Sequence, residues 1–151
     1  DFLNEDGLLE AIQHIEKVPK NMAPILLDWP KNHRDEYDFD EFGHKGICTS
    51  VNMFFYGFLK TLAKLYRIVE DDEQAQEMEA IYTKLGQSLI EQTYDYDRGL
   101  FKDTPVSNHC SLHANTLQLC FELLPPKGYE PLINFIKEKR FSCSLGFGYY
   151  D

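Results

Sequence analysis

The chain has 151 residues, 43% of them hydrophobic, with 25 acidic against 15 basic side chains and a formal net charge of −10. That length and composition suit one globular domain or a piece of one. A negative surface repels phosphate backbones and anionic lipid, so nucleic acid and membranes are not expected partners.

The first residues, Asp1 to Asn4, carry no positive stretch and no apolar run of the kind that opens a signal peptide. Leu8, Leu9, Ile12 and Ile15 recur at helical spacing until Val18-Pro19, which predicts a short helix. Met22 to Leu27 is a brief apolar stretch stopped by Asp28-Trp29-Pro30. Lys31 to Gly46 is charged, aromatic and broken by glycine, and reads as a long loop; structureless stretches beyond about 12–15 residues are usually functional or mobile.

Thr49 or Ser50 is placed to cap a strong helix whose apolar face is expected to comprise Phe54, Phe58, Leu62 and Leu65, joined by Phe55, Leu59 and Ile68. Val69 to Asp72 make a turn, and Asp71 or Asp72 starts a second helix through Met78, Ile81, Tyr82, Leu85, Leu89 and Ile90 to about Thr93. The pair predicts an antiparallel helical hairpin. Tyr94 to Asn108 reads as a second loop, after which Ser107 or Asn108 is expected to cap a third helix that Pro125-Pro126 closes. Tyr129 to Arg140 reads as a fourth helix with Leu132, Ile133, Phe135 and Ile136 buried. Neither hairpin has the fixed length or consensus residues of a tetratricopeptide or ankyrin array.

Several constellations bear on chemistry. Aromatic residues reach 14% of the chain, which suits either a large core or a cleft where flat rings stack on sugars or bases. Trp29 beside Asp28 offers a stacking face next to a hydroxyl acceptor; the alternative is a buried indole with a capping carboxylate. Asp38-x-Asp40 and Asp95-x-Asp97 fall short of a calcium loop, lacking its third ligand and closing Glu. His109 and His113 share one helical face, but Cys110 stands where a zinc protease needs Glu. His109 is expected in the first turn of the third helix, reaching a ligand from the helix mouth; His113 lies a turn deeper, as ligand contact or satisfied core histidine. Cys48, Cys110, Cys120 and Cys143 form no zinc or disulfide spacing and read as buried thiols. No metal or cofactor is expected.

Leu27-Asp28-Trp29-Pro30, then Arg34-Asp35-x-Tyr37-Asp38, then Val51-Asn52-x-Phe54-x-Tyr56 resembles the catalytic domain of the α-L-rhamnosidases of glycoside hydrolase family 78. So does Tyr96-Asp97-x-Gly99-Leu100-Phe101-x-Asp103 leading into Ser107-x-His109-x-Ser111-Leu112-His113-Ala114-Asn115. The resemblance covers about Leu26 to Gly148 in order, though each motif is short. It implies an all-α fold, antiparallel helical hairpins forming part of an (α/α)6 six-hairpin toroid, with the active site at one end. It also implies inverting hydrolysis of terminal α-L-rhamnose, in which one carboxylic acid protonates the leaving oxygen and a carboxylate about 6.5–9.5 Å away activates water.

In that family the acid precedes the Asp-Trp loop and the base lies near the end of the barrel; neither segment is represented here, so no catalytic residue is assigned. Arg34-Asp35-Glu36 mimics the acid segment but lacks the Trp and Gly-Asp that follow it there, so Glu36 does not inherit the role. What the resemblance carries over is subsite lining: Trp29 as sugar platform, with Asp28 and His109 as polar contacts. About four clear helices against the twelve of a full toroid, and ends that look cut, lead to the expectation of a partial catalytic domain. The expected partners are a rhamnoside substrate and the remainder of the parent domain, with self-association of exposed apolar faces. Two alternatives stay open: a six-hairpin glycosidase acting on another sugar, and a non-catalytic helical interaction module.

Overall fold

The computed structural model describes residues 3–10, 35, 46–140, 142–143 and 147–149. Its elements are helix α1 (Thr49–Ile68), helix α2 (Asp72–Thr93), strands β1 (Tyr94–Asp95) and β2 (Leu100–Phe101), and helices α3 (Leu112–Phe121) and α4 (Tyr129–Lys139). The chain is mainly helical, and the two short strands pair antiparallel, Tyr94 opposite Phe101 and Asp95 opposite Leu100. No described helix is long and apolar enough to cross a membrane.

Local chemistry sets the helix ends. Asp71 caps α2, its carboxylate accepting from Gln74 N, with Asp72 and Glu73 in the first turn against the helix dipole. Ser111 caps α3 by accepting from Ala114 N, three to four residues later than Ser107 or Asn108, the expected caps. The reason is local: Ser107 is spent in the preceding turn, where its hydroxyl accepts from His109 N. The helix ends before Leu124, because Glu122 turns left-handed at φ 55° and Leu123 N returns to Gln118 O. Cys48, with no side-chain cap, stands where Thr49 or Ser50 was expected, since Thr49 Oγ1 instead donates to Lys102 O at 2.6 Å. Leu8 and Leu9 lie outside any helix, in the second arm of a tight turn; the rest of that expected helix lies outside the described residues.

Two antiparallel hairpins result. α1 and α2 pair through their joining turn, where Arg67 grips Glu79 and Asp72, and through Tyr56 and Tyr82, whose rings meet edge to face at 5.5 Å. α3 and α4 are likewise antiparallel, since Lys139 at the end of α4 and Leu112 N at the start of α3 share the carboxylate of Asp35. The first helices of the two hairpins run parallel and in register. Thr49 N donates to Asp103 O beside the start of α3, and Lys60 Nζ donates to Phe121 O at its end. Gly57 permits the close approach, for a Cβ there would lie 2.4 Å from Phe121 Cδ1.

That close approach also corrects the expected face of α1. Met53, Tyr56, Gly57, Leu59 and Ala63 are buried, whereas Phe58, Leu65 and Ile68 are exposed. Apolar residues wrap most of α1, so periodicity alone leaves its orientation open; the small side chains of Gly57 and Ala63 decide it. In α4, Leu132 is buried as expected, Phe135 and Ile136 are half-buried, and Ile133 faces solvent. The core between the layers is built on Leu8, Met53, Leu85, Leu89, Phe101, Leu112, Leu117 and Leu132.

A repeated joint locks loops to helices. Gly99, at φ 68°, closes the β1–β2 turn, in which Asp95 Oδ1 accepts from Asp97 N and Arg98 N. Asn115, fourth residue of α3, then clamps Phe101: Phe101 N donates to its Oδ1 at 2.8 Å, and its Nδ2 donates to Phe101 O at 3.0 Å and Ser111 O at 2.8 Å. The N-terminal turn has the same design. Gly7 sits at φ 79°, Asn4 Oδ1 accepts from Asp6 N and Leu8 N, and Leu3 bridges Leu9. Asn52, fourth residue of α1, clamps Leu9 through Leu9 N to Oδ1 at 2.7 Å and Nδ2 to Leu9 O at 3.0 Å, with a further bond to Cys48 O. Each amide completes a peptide's hydrogen bonds in the manner of a neighbouring strand.

Candidate active-site rim at the start of α3

The α1 start, the α2 end, the β1–β2 turn and the α3 start meet at one end of the hairpin pair. Lys102 N donates to Thr93 O, and Thr49 N donates to Asp103 O. The chain from Lys102 to Ser111 therefore runs across the mouths of α1 and α3, held on both sides by backbone.

Asp103 is the centre of this rim. It is 3% exposed. Its Oδ1 accepts from Ser111 N at 2.9 Å and its Oδ2 contacts His109 Nδ1 at 2.7 Å. Backbone reinforces the pair, Asp103 N donating to His109 O at 3.0 Å. A second carboxylate, Asp35, reaches the same helix mouth: Oδ2 accepts from Leu112 N at 2.6 Å and Oδ1 from Lys139 Nζ at 2.8 Å. The first two N–H groups at the mouth of α3 thus each meet a carboxylate, where the dipole favours negative charge. Asp35 meets a lysine and a helix end at once, which is a structural duty for this carboxylate.

His109 lies two residues before the α3 cap rather than in the first helical turn, because the helix starts at Leu112. Its side chain is 29% exposed. Nε2 has no hydrogen-bond partner among the described residues. His113 is fully buried, with its ring 4.3 Å from that of Phe147, and sits in the core rather than in the rim. Trp29 and Asp28 lie outside the described residues, as do His33, Arg34 and Glu36.

The thiols divide differently from expectation. Cys48, Cys110 and Cys143 are buried, but Cys120 is exposed on the last turn of α3, where the helix leaves the core. Burial pushes the Cys48 thiol up to about 11 against the pull of the Val51 and Ser50 amides, and burial also raises Cys110. Neither behaves as an activated nucleophile. Among the described residues no cluster of three or more His, Cys, Asp or Glu side chains is placed to hold a metal ion.

A concavity of about 390 Å³, away from this rim, opens along α2 and is lined by Tyr56, Tyr82, Gln87, Glu91, Tyr96 and Leu123 among others. Gln87 Nε2 donates to Glu91 Oε1, and the exposed Tyr96 ring stands edge-on to Tyr94 at 4.9 Å. Sequence reasoning placed Tyr82 in a core face and so missed this groove.

Asp103 was also missed as a polar centre. The available signal was its position between a Gly-turned hairpin and a Ser- and His-bearing stretch, which brings a carboxylate back over a helix mouth. A scan against protein-family models finds no match to this chain, and a search of curated proteins finds no relative.

Proposed function

We propose that this chain is part of a glycoside hydrolase similar to the inverting α-L-rhamnosidases, contributing substrate-facing loops to a toroid of helical hairpins. The observation that supports this most is the arrangement of the two hairpins. Their first helices run parallel and in register, and the polar loops gather at the end where those helices begin. Repetition of that step around an axis closes a ring of inner helices whose shared N-terminal mouth is lined by such loops, and helix mouths offer N–H groups to polar ligands. Trp29 then serves as the sugar platform, with Asp28 and His109 as hydroxyl contacts. A sugar needs both an apolar face and charged or polar acceptors, and the motif set supplies them.

The general acid and base belong to segments beyond those matched here, so the chain by itself turns over no aryl rhamnoside. The test is calorimetric titration of the purified chain with methyl α-L-rhamnoside, repeated with Trp29→Ala. Saturable binding that the substitution abolishes supports the reading. Binding of a different pyranoside instead would move it to another six-hairpin glycosidase, and no saccharide binding at all would favour an interaction module. Robust hydrolysis by the isolated chain would contradict the assignment of the catalytic pair elsewhere.

A further inference from the structure

We infer that Asp103 is a positioning residue that holds His109 in its Nδ1–H tautomer, so that Nε2 faces the rim as a hydrogen-bond acceptor for a ligand hydroxyl. The nature of the ligand rests on the carbohydrate reading above; the tautomer does not.

The argument is one of donors and acceptors. An ionised carboxylate only accepts, so the 2.7 Å contact between Asp103 Oδ2 and His109 Nδ1 requires the proton on Nδ1. Asp103 is itself fixed, because Oδ1 takes the Ser111 N–H at 2.9 Å and the surrounding backbone bonds leave its chain no slack. The main chain that carries the ring is held by the bonds of His109 N to Ser107 Oγ and of Asp103 N to His109 O. A neutral imidazole protonated on Nδ1 presents a lone pair on Nε2, on a side chain that is 29% exposed and whose Nε2 has no partner among the described residues. The rim therefore offers an acceptor to a ligand hydroxyl or ammonium, and turns a bare carbonyl or ether oxygen away.

Asp103→Asn reverses this polarity. An asparagine has one acceptor oxygen, and the backbone N–H of Ser111 cannot surrender its proton, so that oxygen stays with Ser111. The amide NH2 then faces His109 Nδ1, which must become the acceptor, and the proton moves to Nε2. The logic parallels the tautomer change caused by the same substitution in a serine-protease triad.

The experiment is long-range 1H–15N correlation on the 15N-labelled chain, recorded well above neutral pH where imidazoles are uncharged, with His109→Gln used to assign the ring. The expected result is a protonated Nδ1 and bare Nε2 in the parent chain, and the reverse in Asp103→Asn, with methyl α-L-rhamnoside binding weakened by about tenfold in the variant. A parent His109 protonated on Nε2, or a variant that keeps the Nδ1 proton, overturns the inference. The parent spectrum decides the tautomer even should Asp103→Asn fail to fold. The predicted tautomers with undiminished saccharide binding in His109→Gln would overturn the ligand half alone. The predicted tautomers with no saccharide binding in the parent would instead overturn the carbohydrate reading.

Discussion

Replacing Asn115 by Ala should cost this chain a large part of its stability. The side chain is fully buried and engages three backbone groups, Phe101 N, Phe101 O and Ser111 O, at 2.8, 3.0 and 2.8 Å. Alanine leaves the amide and carbonyl of Phe101, itself a fully buried residue, without these partners. An orphaned buried group costs about 1–3 kcal/mol. With a small cavity added, the loss comes to about 3–5 kcal/mol, against a total of about 5–15 kcal/mol for a typical domain.

Urea unfolding followed by circular dichroism measures it, read as a shift of midpoint at constant slope. Asn115→Asp sharpens the test. It keeps an acceptor for Phe101 N but loses both donors and sets a charge against two carbonyls, so it should be at least as damaging as alanine. Asn52→Ala is the comparison: its partner Leu9 is half-buried, water can reach the vacated groups, and the loss should be smaller, about 1–3 kcal/mol. A loss below about 1 kcal/mol for Asn115→Ala, or an Asp variant as stable as the parent, would refute the clamp as the source of rigidity.

The remaining expectations test other parts of the molecule. Gln118 is fully buried and neither Oε1 nor Nε2 has a hydrogen-bond partner among the described residues, so Gln118→Met should raise the thermal midpoint, by the equivalent of about 1–2 kcal/mol; a fall would mean that the amide is satisfied in the folded chain, as by a buried water. The Cys48 thiol is raised by burial from 9.0 to about 11, so the folded state disfavours the thiolate. Its contribution is fully present below the unfolded value and is lost as pH rises between 9.0 and about 11, by about 3 kcal/mol in all; unfolding of Cys48→Ala against the parent from neutral to alkaline pH measures the difference in slope. Gly99→Ala should destabilise by about 1–3 kcal/mol, because the residue is at φ 68° and a Cβ would lie 2.8 Å from Pro131 Cγ. Gly128→Ala, at φ −92° with its nearest contact at 3.7 Å, should be neutral or slightly stabilising, and equal losses at the two sites in thermal unfolding would contradict this.

The long helices were legible because their cause is local. In α2 the cap at Asp71, the acidic first turn and the recurrence of Leu85 and Leu89 agree, and the observed bounds match the expected ones. The β1–β2 pair was not legible, since two residues per strand carry no alternation to detect. The start of α3 was misplaced because Ser107 and Ser111 are equally good caps in isolation; only the hydroxyl's use by His109 N separates them. The clamps were hidden for a different reason. Asn52 and Asn115 reach residues 43 and 14 positions away, and nothing local to either asparagine encodes a partner at such distances. His109 could be singled out from its neighbours, whereas the carboxylate that orients it becomes visible only when the hairpin folds back.

The twin joints suggest how such a chain tolerates change. Each turn is clamped to the start of its helix by one asparagine amide, whose partner lies 43 positions away in one joint and 14 in the other. Insertions between the partners leave the hydrogen bonds of each joint, and so the helices beneath, unchanged. A scaffold fastened in this way can change the stretches it carries and keep the same frame.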